Sequence, residues 1–86
     1  MRKIVIYSSQ GCPYCEHAKE LLNKKGAKFE EIRVDLDPSQ REEMIKKSGR
    51  RTVPQIFIDN QPIGGFDDLA KLEKNGQLDV LLFKVD

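Results

Sequence analysis

Eighty-six residues make one domain, 1–86, with room for a single modest core; chains of this size bury roughly 60–65% of their unfolded surface. Fifteen Lys plus Arg against fourteen Asp plus Glu leave a net charge of +1, which excludes the strong field that recruits nucleic acid or an anionic membrane. The longest apolar runs, IVIY at 4–7 and VLLF at 80–83, are too short for a membrane span or a signal-peptide core, so a cytoplasmic protein is expected.

Residues 3–7 (KIVIY) form an unbroken β-branched and aromatic run, which predicts a strand buried on both faces and therefore central. The next segment, SSQGCPYC, holds both cysteines, Cys12 and Cys15. A helix is predicted over 13–25, with Pro13 in the first helical position and Gly26 as its stop. Residues 29–34 (FEEIRV) alternate only partly and predict a second, more exposed strand. Asp37, Pro38 and Gln40 form a capping-box pattern that opens a helix over 38–48, ended by Gly49. A third strand is predicted at 55–58 (QIFI). Asp59-Asn60 then makes a two-residue hairpin turn into a fourth strand, QPIG. Asp67 or Asp68 opens a third helix, closed by Asn75-Gly76, and residues 78–83 predict a short helix capped by Asp79. Met44, Ile45, Leu69, Leu72, Leu78, Val80 and Leu82 are expected to face the core. The order β-α-β-α-β-β-α-α describes an α/β domain. Its first three elements place two strands parallel through a right-handed crossover, and the hairpin adds an antiparallel pair. Such sheets present reactive groups at a strand's carboxyl end, where CPYC lies.

A Cys-x-x-Cys pair can be structural, metal-binding or redox-active. A disulfide here closes a very small loop and restrains the unfolded chain little, and in the cytosol structural disulfides are rare. A zinc site needs about four ligands, and His17 lies roughly 140° around the helix from Cys12 and 160° from Cys15. His17 is therefore expected at the solvated surface, and no metal site is expected. The redox reading has a physical basis. Cys12 falls at or beside the N-cap, where unpaired backbone N–H groups and the macrodipole favour a thiolate. Cys15, Ala18 and Leu22 fall within about 60° of one another on the helix, which turns Cys15 toward the core and keeps its thiol protonated. An exposed nucleophile with a shielded partner one turn behind it suits thiol–disulfide exchange.

CPYC at 12–15, TVPQIFI at 52–58 and GGFDDL at 64–69, in this order and spacing, resemble the dithiol glutaredoxins of the thioredoxin superfamily, and most of all the small bacterial glutaredoxin-3 type. The resemblance covers essentially the whole chain. It implies a thioredoxin-like fold, a four-stranded mixed β-sheet flanked by helices, and a glutathione-dependent thiol-disulfide oxidoreductase. It implies no tightly bound cofactor, with glutathione as reducing co-substrate. The implied partners are glutathione and disulfide-containing or glutathionylated proteins, ribonucleotide reductase being a family-level candidate, and a monomer is expected.

By the resemblance, Cys12 is the nucleophile and Cys15 the resolving thiol, Pro54 is held cis, and Thr52 and Val53 flank the cysteinyl part of glutathione. Gly65, Phe66, Asp67 and Asp68 form the loop that grips its γ-glutamyl end, Tyr14 packs on the tripeptide, and Arg41 meets the glycyl carboxylate. Physical chemistry agrees in part. Pro54 pushes Val53 toward an extended conformation able to pair with a peptide. N–H groups at the start of the third helix suit a carboxylate, and an aspartate suits an ammonium. Each assignment has a plainer alternative: an aspartate as N-cap, Gly64-Gly65 as a strand-ending turn, Phe66 in the core, Arg41 and Tyr14 merely solvated. One departure stands out. Many glutaredoxins carry a lysine where this chain has Ser9, and the compensating cation is Arg41, or else Arg50 or Arg51. Rival functions are a [2Fe–2S] carrier bridging two chains and an electron donor fed by thioredoxin reductase.

Overall fold

The computed structural model describes residues 2–83; residue 1 and residues 84–86 of the expected domain lie outside the described residues. The elements follow the expected order: β1 (Ile4–Ser8), α1 (Pro13–Lys24), β2 (Glu30–Arg33), α2 (Pro38–Ser48), β3 (Gln55–Ile58), β4 (Gln61–Gly64), α3 (Phe66–Lys74) and α4 (Gln77–Phe83). The four strands lie in the order β2-β1-β3-β4. β1 runs parallel to β2, while β3 is antiparallel to β1 and β4.

The side-chain alternation of β1 explains its unbroken apolar run. Ile4 and Ile6 face one side and pack with Ile56 and Ile58 against Ala18 and Leu22 of α1, Leu69 of α3, and Leu78 and Leu82 of α4. Tyr7 faces the other side with Phe57, Val34 and Met44 of α2. The sheet is thus the middle of three layers, and its central strands are buried on both faces. Ile6, Leu22, Met44, Ile56, Leu69, Leu78 and Leu82 are fully buried, each contributing roughly 1.5–3 kcal/mol by leaving water. The hairpin turn forms as expected. Asp59 and Asn60 both take positive φ, 51° and 70°, the conformation of a type I′ turn. The Asp59 carboxylate also accepts the Lys3 N–H at 2.9 Å, tying the turn to the start of β1.

Four local expectations are corrected. α3 opens at Phe66 with Gly65 as its N-cap; Asp68, at the third helical position, reaches back to the Gly65 N–H at 3.0 Å. α4 opens at Gln77, so Asp79 sits in its first turn. Its carboxylate pairs instead with Lys25, at 2.7 Å. Val80 is 56% exposed, because Leu78 and Leu82 define the buried face of this short helix and Val80 lies about 200° around from Leu78. Asp37 caps α2 as expected, but its carboxylate bonds to the Ser39 N–H at 3.0 Å and hydroxyl at 2.6 Å, so Ser39 rather than Gln40 completes the cap.

Candidate active site

β1 delivers the chain to the carboxyl end of the sheet. There Gly11 turns it through a left-handed conformation, φ 74°, which glycine adopts without steric cost. Cys12 follows as the N-cap of α1, with extended backbone and Pro13 in the first turn. Its sulfur accepts the Cys15 N–H at 3.2 Å, taking one of the donors that a helix start leaves unpaired. Cys15 lies on the buried face with Ala18 and Leu22, each 0% exposed. Cys12 and Cys15 are joined as a disulfide, their Cα atoms 5.2 Å apart. The two sulfurs therefore occupy the unequal environments expected of them, Cys12 partly exposed and Cys15 enclosed.

A cleft of about 250 Å³ opens beside this pair. One wall is Thr52, Val53 and Pro54; the other is Gly65, Phe66, Asp67 and Asp68; Tyr14 stands at the rim. The Val53–Pro54 peptide bond is cis. The Val53 carbonyl oxygen lies 3.8 Å from Cys12 Sγ, which brings the cleft up to that sulfur. Tyr14 is 60% exposed and stacks on Phe66 at 6.2 Å. His17 is at the surface as expected, yet its ring leans on Phe66 at 5.6 Å and Tyr14 at 6.2 Å, completing an aromatic group.

Two further residues line the cleft, Arg50 and Gln55. Gln55 is 1% exposed and donates to the Thr52 carbonyl at 2.9 Å and hydroxyl at 3.3 Å, which fixes the bend ahead of Pro54. Its sequence signal was a polar residue heading the apolar strand QIFI. Arg50 Nη1 donates to Asp68 Oδ2 at 3.0 Å. The Gly65 N–H, then Arg50, hold the Asp68 carboxyl below the usual carboxylate range. Arg41 is placed differently. Its guanidinium donates to the Arg51 carbonyl at 3.1 Å, and neither Arg41 nor Arg51 lines this cleft.

Cys12 itself lines a second cleft, together with Ser9, Gln10, Gly11, Pro13, Glu16, Lys19, Glu31 and Arg33. The buried Ser8 hydroxyl donates to Glu31 at 2.6 Å, and Lys19 bridges Glu31 at 2.9 Å and Glu16 at 2.6 Å. Ser8 first and Lys19 second keep the Glu31 carboxyl low.

The family model for glutaredoxin matches residues 4–63. Glutaredoxin 3 of Escherichia coli (strain K12) is 56% identical over 82 residues, which span 95% of this chain and 99% of that protein. A glutaredoxin of Pseudomonas aeruginosa is 50% identical over 82 residues, 95% of this chain and 98% of that one. Among solved structures, the Brucella melitensis glutaredoxin superposes with a TM-score of 0.84 at 52% identity, covering 95% of this chain and 89% of that chain. A buckwheat glutaredoxin–glutathione complex superposes with a TM-score of 0.87 at 30% identity, covering 94% and 76%.

Proposed function

The chain belongs to the glutaredoxin family, whose members are thiol-disulfide oxidoreductases, and from that premise we propose that glutathione supplies its electrons and that Cys12 is the sulfur that exchanges them. In deglutathionylation, the Cys12 thiolate attacks the glutathionyl sulfur of a mixed disulfide. The Cys12–glutathione bond forms as the substrate's sulfur leaves as a thiolate and takes a proton from solvent. A second glutathione thiolate then attacks that glutathionyl sulfur. Glutathione disulfide departs and the Cys12 thiolate is restored. In protein-disulfide reduction, Cys12 first forms a mixed disulfide with the protein. Cys15 loses its proton and attacks Cys12 Sγ, releasing the substrate's second thiolate and closing the Cys12–Cys15 disulfide, which two glutathiones reopen.

One observation carries this reading: a peptide-sized cleft begins 3.8 Å from the nucleophilic sulfur at Val53, and its walls are the residues that the motifs single out. Val53 offers an extended backbone edge for the cysteinyl part. The first N–H groups of α3 suit the γ-glutamyl carboxylate, Asp67 and Asp68 suit its ammonium, and Tyr14 and Phe66 supply apolar surface over the tripeptide. The neighbouring buckwheat structure holds glutathione, which supports the same ligand here.

The reading extends to disulfide-bearing and glutathionylated proteins as substrates, ribonucleotide reductase being a candidate at the level of the family, and to a monomer in the cytoplasm. Among the described residues no helix is long and apolar enough to cross a membrane. The direct test is mass spectrometry of Cys15→Ser after exposure to oxidised glutathione. One glutathionyl adduct on Cys12 is expected; an unmodified Cys12 defeats the proposal.

A further inference from the structure

We infer that Arg50 is a specificity-determining residue: with Asp68 it forms a matched pair of charges that reads the free amino-acid end of a γ-glutamyl ligand, its guanidinium joining the first α3 N–H groups on the α-carboxylate while Asp68 takes the ammonium. The inference rests on glutathione as the ligand and adds the group that tells its γ-glutamyl end from shorter or blocked ones.

Local structure fixes where Arg50 stands. α2 ends at Gly49, which takes the left-handed φ of 73° and turns the chain out of the helix. The Ser48 hydroxyl then clamps the next residue. It accepts the Arg50 N–H at 3.0 Å and lies 3.2 Å from the Arg50 carbonyl oxygen. The side chain crosses from there to α3, where Nη1 meets Asp68 Oδ2. Both residues line the cleft beside Asp67.

The pair has unused capacity on both sides. A guanidinium carries five N–H donors in a planar fork that matches a carboxylate. Among the described residues, the Arg50 fork makes the Asp68 bond alone. On Asp68, both the Gly65 N–H and Arg50 fall on Oδ2; Oδ1 holds no hydrogen bond among the described residues. An α-amino acid terminus presents an ammonium and a carboxylate on one carbon. Its electrostatic complement is an anion and a cation held side by side, each with a spare site, and that is what Arg50 and Asp68 provide. Arg41 and Arg51 do not compete for the role, since Arg41 is held at the Arg51 carbonyl and neither lines the cleft. A purely structural ion pair is the plainer reading. At 55% and 43% exposure such a pair stabilises the fold little, so Arg50→Gln is expected to fold.

The experiment compares wild type, Arg50→Gln and Arg50→Lys on mixed disulfides of one small thiol with three peptides. These are glutathione, its 4-aminobutyryl analogue (ammonium kept, α-carboxylate absent) and its glutaryl analogue (carboxylate kept, ammonium absent). Arg50→Gln should lower kcat/KM about fivefold for glutathione and for the glutaryl analogue, through KM. It should leave the 4-aminobutyryl analogue unchanged, and Arg50→Lys should recover part of the loss. A loss on the 4-aminobutyryl analogue as large as that on glutathione overturns the inference, because Arg50 then acts by positioning Asp68 (glutaryl analogue spared) or by a general effect on the site (all three peptides affected alike). No loss with glutathione overturns it as well. A wild-type protein inert toward glutathione mixed disulfides, yet active on other disulfides, overturns the proposed function itself and the inference with it.

Discussion

Gly64→Ala tests whether the end of β4 was built around the Asp68 carboxylate. Gly64 is buried with φ 116°, and a Cβ placed there overlaps Asp68 Oδ2 and stands 2.7 Å from its Cγ. Two costs follow. The backbone conformation is one that L residues adopt only under strain, about 1–3 kcal/mol. The carboxylate must also swing away, giving up its bond to the Gly65 N–H, a helix-capping interaction of about 1 kcal/mol. The sum, roughly 2–4 kcal/mol, corresponds to a fall in Tm of about 10–25 °C for a domain of this size. Losing one charge-assisted contact should also raise KM for a glutathione mixed disulfide about tenfold. Gly65→Ala is the control. Its φ is an ordinary −89° and its Cβ meets only the Pro54 carbonyl oxygen at 3.4 Å, so the cost is the change of N-cap residue, about 1 kcal/mol. Thermal melts and steady-state kinetics of the two variants decide. A Gly64→Ala protein as stable as Gly65→Ala, with unchanged KM, refutes the reasoning.

Ser9→Lys restores a cation beside Cys12, on the loop that borders the second cleft; it should favour the thiolate or tighten glutathione, and a variant identical to wild type in thiol titration and KM contradicts that account. Asp35 titrates at about 2 rather than 3.8, chiefly because Arg33 bonds its carboxylate. Its folded-state pKa is depressed, so its contribution is fully present above pH 3.8 and is lost as pH falls through about 2. Asp35→Asn should therefore remove part of the acid limb of a stability–pH curve in that window and leave the neutral region flat; an unchanged limb speaks against it. Lys25 has the opposite sign, raised above 10.5 by Asp79 and then Glu73. Its contribution is present below pH 10.5 and is lost as pH climbs past it, so Lys25→Met should blunt alkaline destabilisation, measured as the difference in urea midpoint.

What the sequence disclosed and what it withheld divide along the range of the forces involved. The order of elements, the two-faced burial of β1 and the hairpin at Asp59-Asn60 depend on patterns within a few residues, and each was legible. The asymmetry of Cys12 and Cys15 was legible for the same reason: N-cap position and helical periodicity are local. The start of α3 was misplaced because an aspartate at the N-cap and one three residues in look alike until Asp68 is seen reaching back to Gly65. Asp79 resembled a cap because its partner, Lys25, lies on another helix. The cation compensating for the lysine that Ser9 replaces had three candidates in Arg41, Arg50 and Arg51, of which Arg50 alone lines the cleft. Choosing among them requires knowing where the end of α2 stops relative to α3, which no local pattern encodes. Gln55 went unassigned because its role, holding the Thr52 backbone, appears only once the bend before Pro54 is formed.

Separate ionisation curves for the two thiols of the reduced protein, followed with single-cysteine variants by thiolate absorbance, test the central claim most directly. The Cys12 thiol, read in Cys15→Ser, should ionise well below the free-cysteine value of about 8.5, and the Cys15 thiol, read in Cys12→Ser, should ionise above it. Curves that coincide, or that come in the reverse order, would contradict the claim that the start of α1 makes one sulfur the nucleophile and the core holds the other in reserve.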